Sequence, residues 1–142
     1  MGCLRLKAYR LTTSAPLQRV YGCSAVRVSV VDVLIVLASK SDKEVGDKAR
    51  DMLRQFGVAH EVVIASAHRT PSHLKSIVES TAAKVIIAVA GLSAALPGAI
   101  AAHTTKPVIG VPVSGKISLD ALLSVVQMPP GIPVATVGID NA

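Results

Sequence analysis

Three short polar stretches hold the residues able to do chemistry. Ser66-Ala67-His68-Arg69-Thr70-Pro71 sets a hydroxyl, an imidazole and a guanidinium side by side, Ser39-Lys40-Ser41-Asp42 adds two hydroxyls and a carboxylate, and Gly91-Leu92-Ser93-Ala94-Ala95-Leu96 is built almost wholly of small residues. Hydroxyls, free backbone N–H groups at helix starts and an arginine fork suit a phosphate. Asp42 is able to accept from ribose hydroxyls, and His68 belongs to the one residue type that ordinarily titrates near neutrality, as a proton carrier must. Taken singly, each has a plainer role. Asp42 is equally an N-cap, Ser39 and Ser66 are loop hydrogen-bonders, Arg69 is a solvated surface residue, and His68 is divided between a structural loop residue and an acid/base catalyst. What chooses between the two sets of roles is whether the three stretches meet.

The elements that would bring them together are legible as alternating patterns. Val33 to Ala38 is a continuous, β-branched-rich apolar run, and Val45, Ala49, Met52, Leu53 and Phe56 after it recur at helical spacing. Gly57 closes that helix, and Val62 to Ala65 form a second strand. Pro71 stands at the first position of a helix, where its missing N–H costs nothing, and Leu74, Ile77 and Val78 supply that helix with an apolar face. Val85 to Ala90 is a third strand, Pro97 to His103 a short helix, Pro107 to Val111 a fourth strand, Leu119 to Val126 a helix, and Ile132 to Ile139 a fifth strand. Alternation of this kind predicts a single α/β domain, a five-stranded parallel sheet between helical layers. In such a sheet the loops after the first three strands share one rim, outside the strand ends where ligands bind.

Composition bounds the rest. The chain has 142 residues, 51% apolar and only 2% aromatic, so its core must be filled by Val, Ile, Leu and Ala, as parallel strands covered on both faces usually are. The net charge of +6 is not spread evenly: Arg5, Lys7, Arg10, Arg19 and Arg27 have no acid among residues 1–31, which leaves 10 Lys and Arg against 9 Asp and Glu, a net of +1, from Asp32 onward. The basic excess belongs to a leader, and no nucleic-acid face is expected on the domain. Residues 1–31 read as a basic, poorly ordered extension or an overshooting start, with a transit segment as the alternative, and lack the apolar run of an export signal or membrane span. Cys3 and Cys23 fit neither a disulfide scaffold nor a zinc site, which points to a reducing, cytoplasmic setting. His60, His73 and His103 share no ligand spacing with Cys or a carboxylate, so no metal is expected.

Taken together, Ala38-Ser39-Lys40-Ser41-Asp42, Ser66 to Pro71, Ala90 to Gly98, Gly110-Val111-Pro112-Val113 and Gln127-Met128-Pro129 resemble the 5-(carboxyamino)imidazole ribonucleotide mutase family of purine biosynthesis, over about Val33 to Ala142. The resemblance implies a flavodoxin-like three-layer α/β/α domain, a homo-octamer in the cytoplasm, a ribonucleotide substrate, and neither metal nor organic cofactor. It also implies roles. His68 becomes the acid/base, Ser39, Ser66 and Arg69 hold the 5′-phosphate, Asp42 takes the ribose hydroxyls, and Ala67, Gly91, Ser93 and Leu96 complete the substrate-binding wall.

The chain departs from the family pattern at four places. Ala95 stands where the family commonly has a histidine, Ala38 where a glycine is usual, the segment Ser114 to Leu119 is short, and the terminal helix after the last strand is absent from 32–142. Three other activities compete with the mutase reading: direct carboxylation of aminoimidazole ribonucleotide with free carbon dioxide, carboxylation of a pyridinium mononucleotide, and non-catalytic nucleotide binding.

Overall fold

The structure, a computed structural model, describes residues 31–142. The leader reading therefore lies outside the described residues, Val31 excepted. The elements are β1 (Val33–Leu37), a single 3-10 turn (Lys40–Asp42), α1 (Lys43–Gln55), β2 (His60–Ile64), α2 (Pro71–Ser80), β3 (Val85–Ala90), α3 (Leu96–Ala101), β4 (Val108–Pro112), α4 (Ser118–Val126) and β5 (Ala135–Thr136). All five strands are parallel, in the order β2-β1-β3-β4-β5. This is the flavodoxin-like order, in which the chain reverses its direction of travel at β1 and β3.

The two faces of the sheet are covered unequally. On one side Leu34, Val36, Ile86, Ala88 and Val108 pack with Leu74 and Val78 of α2, Leu96 and Ile100 of α3, and Ala121 and Val125 of α4. On the other, Val33, Ile35 and Leu37 meet Val45 and Ala49 of α1. Close approach makes both seams possible: a methyl added at Gly46 would overlap Leu37, and one at Gly110 would overlap Val125. Gly57, at φ +67°, ends α1 in the left-handed conformation that glycine adopts without steric cost.

Two strands differ from the sequence expectation. The apolar run of β2 is not buried on both faces, since Val62 and Ile64 are 38% and 47% exposed. They pair opposite Ile35 and Leu37, on the α1 side, at an edge of the sheet that α1 does not fully cover. The fifth strand is two residues long rather than eight, joined to β4 only by Ile109↔Ala135 and Gly110↔Thr136. Pro133 can donate no ladder hydrogen bond, and an edge position leaves the remainder without a second partner. At the chain's other seam Pro71 is the first residue of α2, as its missing N–H predicts.

Candidate active site

Each polar stretch leaves the carboxyl end of one of the first three strands, and the order β2-β1-β3 makes those ends neighbours. They enclose one cavity of about 350 Å³. Its lining contains Ser39, Asp42, Ser66, Ala67, His68, Arg69, Gly91, Ser93 and Leu96, so every residue singled out from the sequence reaches the same space. Ser41, Leu92 and the small side chains of Ala38, Ala90, Ala94 and Ala95 complete the wall.

The first loop is organised by Asp42, which is 5% exposed. Its place just before α1 is that of an N-cap, yet its carboxylate makes no capping bond to α1. Instead Oδ2 accepts from the Ser39 backbone N–H at 2.8 Å and from the Ser39 hydroxyl at 3.0 Å. Ser39 and Ser41 are hydrogen-bonded to each other through their hydroxyls. One oxygen of the carboxylate thus shapes the loop. The other, Oδ1, has among the described residues only a long 3.5 Å contact from the Ser41 hydroxyl and faces Gly91, where a Cβ would stand 3.7 Å from it. A buried carboxylate oxygen with spare acceptor capacity suits a ligand hydroxyl.

The second loop locks itself. Thr70 Oγ1 accepts from the Ser66 N–H at 3.0 Å and donates to the Ser66 carbonyl at 3.3 Å, a brace at a residue the sequence reading did not weigh for function. The Ser66 hydroxyl oxygen accepts from the Arg69 backbone N–H at 3.3 Å and from Arg69 Nε at 3.4 Å, which leaves the hydroxyl proton to donate elsewhere. Arg69 Nη2 donates to the Ala38 carbonyl at 3.0 Å, across from the end of β2 to the end of β1. The guanidinium is therefore tethered beside the switch point, with further N–H groups unspent among the described residues. His68 stands exposed between this loop and a second, more apolar cavity lined also by Ser93, Ala95, Met128 and Pro129.

The third loop supplies backbone more than side chains. Ser93 has φ +53°, a conformation uncommon for a residue with a side chain, and Leu96 and Pro97 are buried at the start of α3. Such strain concentrates where a structure over-determines a loop, as in ligand clamps. His60, His73 and His103 lie away from the cavity; His60 Nδ1 pairs with the Val58 carbonyl at 2.8 Å. Among the described residues no three His, Cys, Asp or Glu side chains are gathered so as to hold a metal ion.

The sequence of residues 32–142 matches the AIR carboxylase family. The chain belongs to that family. It is 59% identical over 110 residues to the N5-carboxyaminoimidazole ribonucleotide mutase of Methanocaldococcus jannaschii, a match covering 77% of this chain and 70% of that protein. It is 51% identical over 122 residues to the mutase of Pyrococcus abyssi, covering 82% and 70%. The chloroplastic phosphoribosylaminoimidazole carboxylase of Vigna aconitifolia is 49% identical over 112 residues, which make up 75% of this chain and 20% of that much longer protein. Among solved structures, PurE of Treponema denticola superposes with a TM-score of 0.70 at 31% identity, covering 76% of this chain and 72% of that one. The family membership and the flavodoxin-like fold expected from the loop motifs both hold.

Proposed function

We propose that this chain is an N5-carboxyaminoimidazole ribonucleotide mutase, an isomerase of purine biosynthesis that moves a carboxylate from the exocyclic nitrogen of the substrate to carbon 4 of its imidazole ring. The observation that carries the reading is that nine residues from three loops, five of them suited to nucleotide and proton chemistry and the rest implied by the family resemblance, line one cavity at the switch point of a family-typical sheet. The name of relatives at 50–59% identity supports it.

In this reading Arg69, Ser66 and Ser39 hold the 5′-phosphate: the tethered guanidinium gives charge and direction, and the spare Ser66 proton gives a further donor. Asp42 Oδ1 accepts from the ribose. The N–carboxylate bond breaks to release carbon dioxide, which the small walls of Gly91, Ser93, Ala94 and Ala95 keep beside the ring. Carbon 4 then attacks it. His68 gives the exocyclic nitrogen a proton as that bond breaks and takes back the proton that carbon 4 loses after its attack, so no proton or electron is left over. Enclosure matters because a gas that escapes into water is lost to the second half of the reaction.

The deciding experiment is His68→Asn. Turnover of the carboxyamino substrate is expected to vanish while the nucleotide still binds, measured by calorimetry; an active variant would refute the assignment. Supplying the uncarboxylated ribonucleotide with and without bicarbonate tests direct carboxylation, the activity named for the Vigna relative. Turnover that needs bicarbonate would favour that activity. Binding without turnover in the unaltered protein would favour a non-catalytic module.

A homo-oligomer, an octamer by resemblance, and a cytoplasmic location belong to the same proposal. Leu119, Leu123 and Val126 recur along one side of α4 and are 59%, 43% and 49% exposed, an apolar stripe that supports self-association. Light scattering would count the subunits.

A further inference from the structure

One residue far from the three loops holds the wall behind them. Val113 continues the β3–β4 ladder past its end, its N–H donating to the Ala90 carbonyl at 2.9 Å. Its carbonyl oxygen and Cβ come within 3.7 and 3.8 Å of the point where a Gly91 Cβ would stand, the same point that lies 3.7 Å from Asp42 Oδ1. Val113 and the spare carboxylate oxygen thus flank the same open space beside Gly91, the space a side chain there would fill. Both peptide groups that flank Val113 are bonded to Asp140. The Asp140 N–H donates to the Pro112 carbonyl at 2.9 Å, and the Asp140 carboxylate accepts from the Ser114 N–H at 2.8 Å. Asp140 does this at φ +57°, in the left-handed region, where its carbonyl also accepts from Lys48 Nζ of α1 at 3.1 Å.

We propose that Asp140 is a positioning residue for the nucleotide site: by bracketing Val113 it fixes the backing against which Gly91 and Asp42 Oδ1 are set. The geometry is specific to an aspartate or asparagine. A left-handed conformation is strained for most side chains, and only a short one with an oxygen acceptor can reach back to Ser114. Around Ser114 the segment from 113 to 117 has no regular structure of its own, so the bracket is what ties its first residues to the sheet. The inference rests on the nucleotide reading of the cavity, because the group it positions is the carboxylate assigned to the ribose.

The test compares three full-length variants by calorimetric titration with aminoimidazole ribonucleotide and, separately, inorganic phosphate. Asp140→Gly keeps the left-handed backbone and deletes the carboxylate; it is expected to weaken ribonucleotide binding about five- to tenfold and to leave phosphate binding unchanged. Asp140→Asn keeps an acceptor for Ser114 and is expected to bind within about twofold of the unaltered protein. Ser114→Pro deletes the donor from the other side and should repeat the loss if Asp140→Gly proves unstable. Ribonucleotide binding by Asp140→Gly and Ser114→Pro equal to that of the unaltered protein would overturn the proposal, as would equal losses in Asp140→Gly and Asp140→Asn. Failure of the unaltered protein to bind the ribonucleotide would instead overturn the nucleotide reading itself.

Discussion

Replacing Arg69 by alanine separates binding from folding at this site. Among the described residues the guanidinium has two of its five N–H groups committed, Nη2 to the Ala38 carbonyl at 3.0 Å and Nε to the Ser66 hydroxyl at 3.4 Å. Three remain, enough for a two-bonded grip on a phosphate. A hydrogen bond to a charged group contributes about 1.5–3 kcal/mol, and because Arg69 is exposed the pair together is set at about 2–3 kcal/mol rather than at the sum. At about 1.4 kcal/mol per factor of ten, Arg69→Ala should raise KM roughly 30- to 150-fold. The two internal bonds it deletes lie at the surface, where substitutions ordinarily change stability by less than about 0.5 kcal/mol, so the melting temperature should move by only a few degrees. Steady-state kinetics on the carboxyamino substrate and a thermal melt of the same sample read both quantities. Arg69→Lys keeps the charge without the fork and should recover part of the loss. An unchanged KM would remove Arg69 from the phosphate. A collapse of the melt would show that its tie to β1 is structural first.

Two further outcomes follow from packing and charge. Gly110→Ala puts a methyl against Val125, 3.1 Å from Val134 Cγ1 and 3.2 Å from Pro97 Cβ, and should cost about 2 kcal/mol through overpacking; a melt within a degree of the unaltered protein would refute the close seam between β4 and α4. Asp140 titrates below the usual carboxylate range, because the Ser114 hydroxyl and then its backbone N–H hydrogen-bond to the charged form, with a smaller contribution from the Lys48 charge. A carboxyl depressed in the folded state contributes its stability above the unfolded value, about 3.9, and loses it as pH falls through the lower folded value. Acid should therefore lower the melting temperature of the unaltered protein more than that of Asp140→Asn, as a series of melts below about pH 5 would show.

Local signals were the most legible. Pro71 opens α2 and Gly57 closes α1, because a missing N–H and a missing Cβ act within one turn of chain. The strand Val85–Ala90 appears with the expected bounds, its apolar residues being covered on both sides. Edges were harder. Val62 and Ile64 carry the same apolar signature as a central strand, and only their place at the end of the sheet leaves them exposed. The segment 132–139 has strand-like composition but one neighbour, and it pairs over two residues. At the site, residue types were readable and partners were not. Asp42 read equally as a cap of α1 or a ribose ligand, and its bond to Ser39 closes a capping box on the 3-10 turn; Thr70 looked like the residue before a proline and braces the Ser66 loop; Asp140 gave no signal, since its partners Ser114, Pro112 and Lys48 are 26, 28 and 92 residues away.

By itself, then, the sequence determined the alternation of strands and helices, the small-residue core, and which three loops carry hydroxyl, imidazole, guanidinium and carboxylate groups. These depend on periodicity and side-chain chemistry, which are properties of short windows. Tertiary structure decided that β1 lies between β2 and β3, that the Arg69 guanidinium therefore reaches Ala38, and that one oxygen of Asp42 is used up while the other faces Gly91. The Asp42–Ser39 bonds are local, but the others depend on contacts between segments far apart in the chain, and these exist only once the parallel sheet has brought the strand ends together.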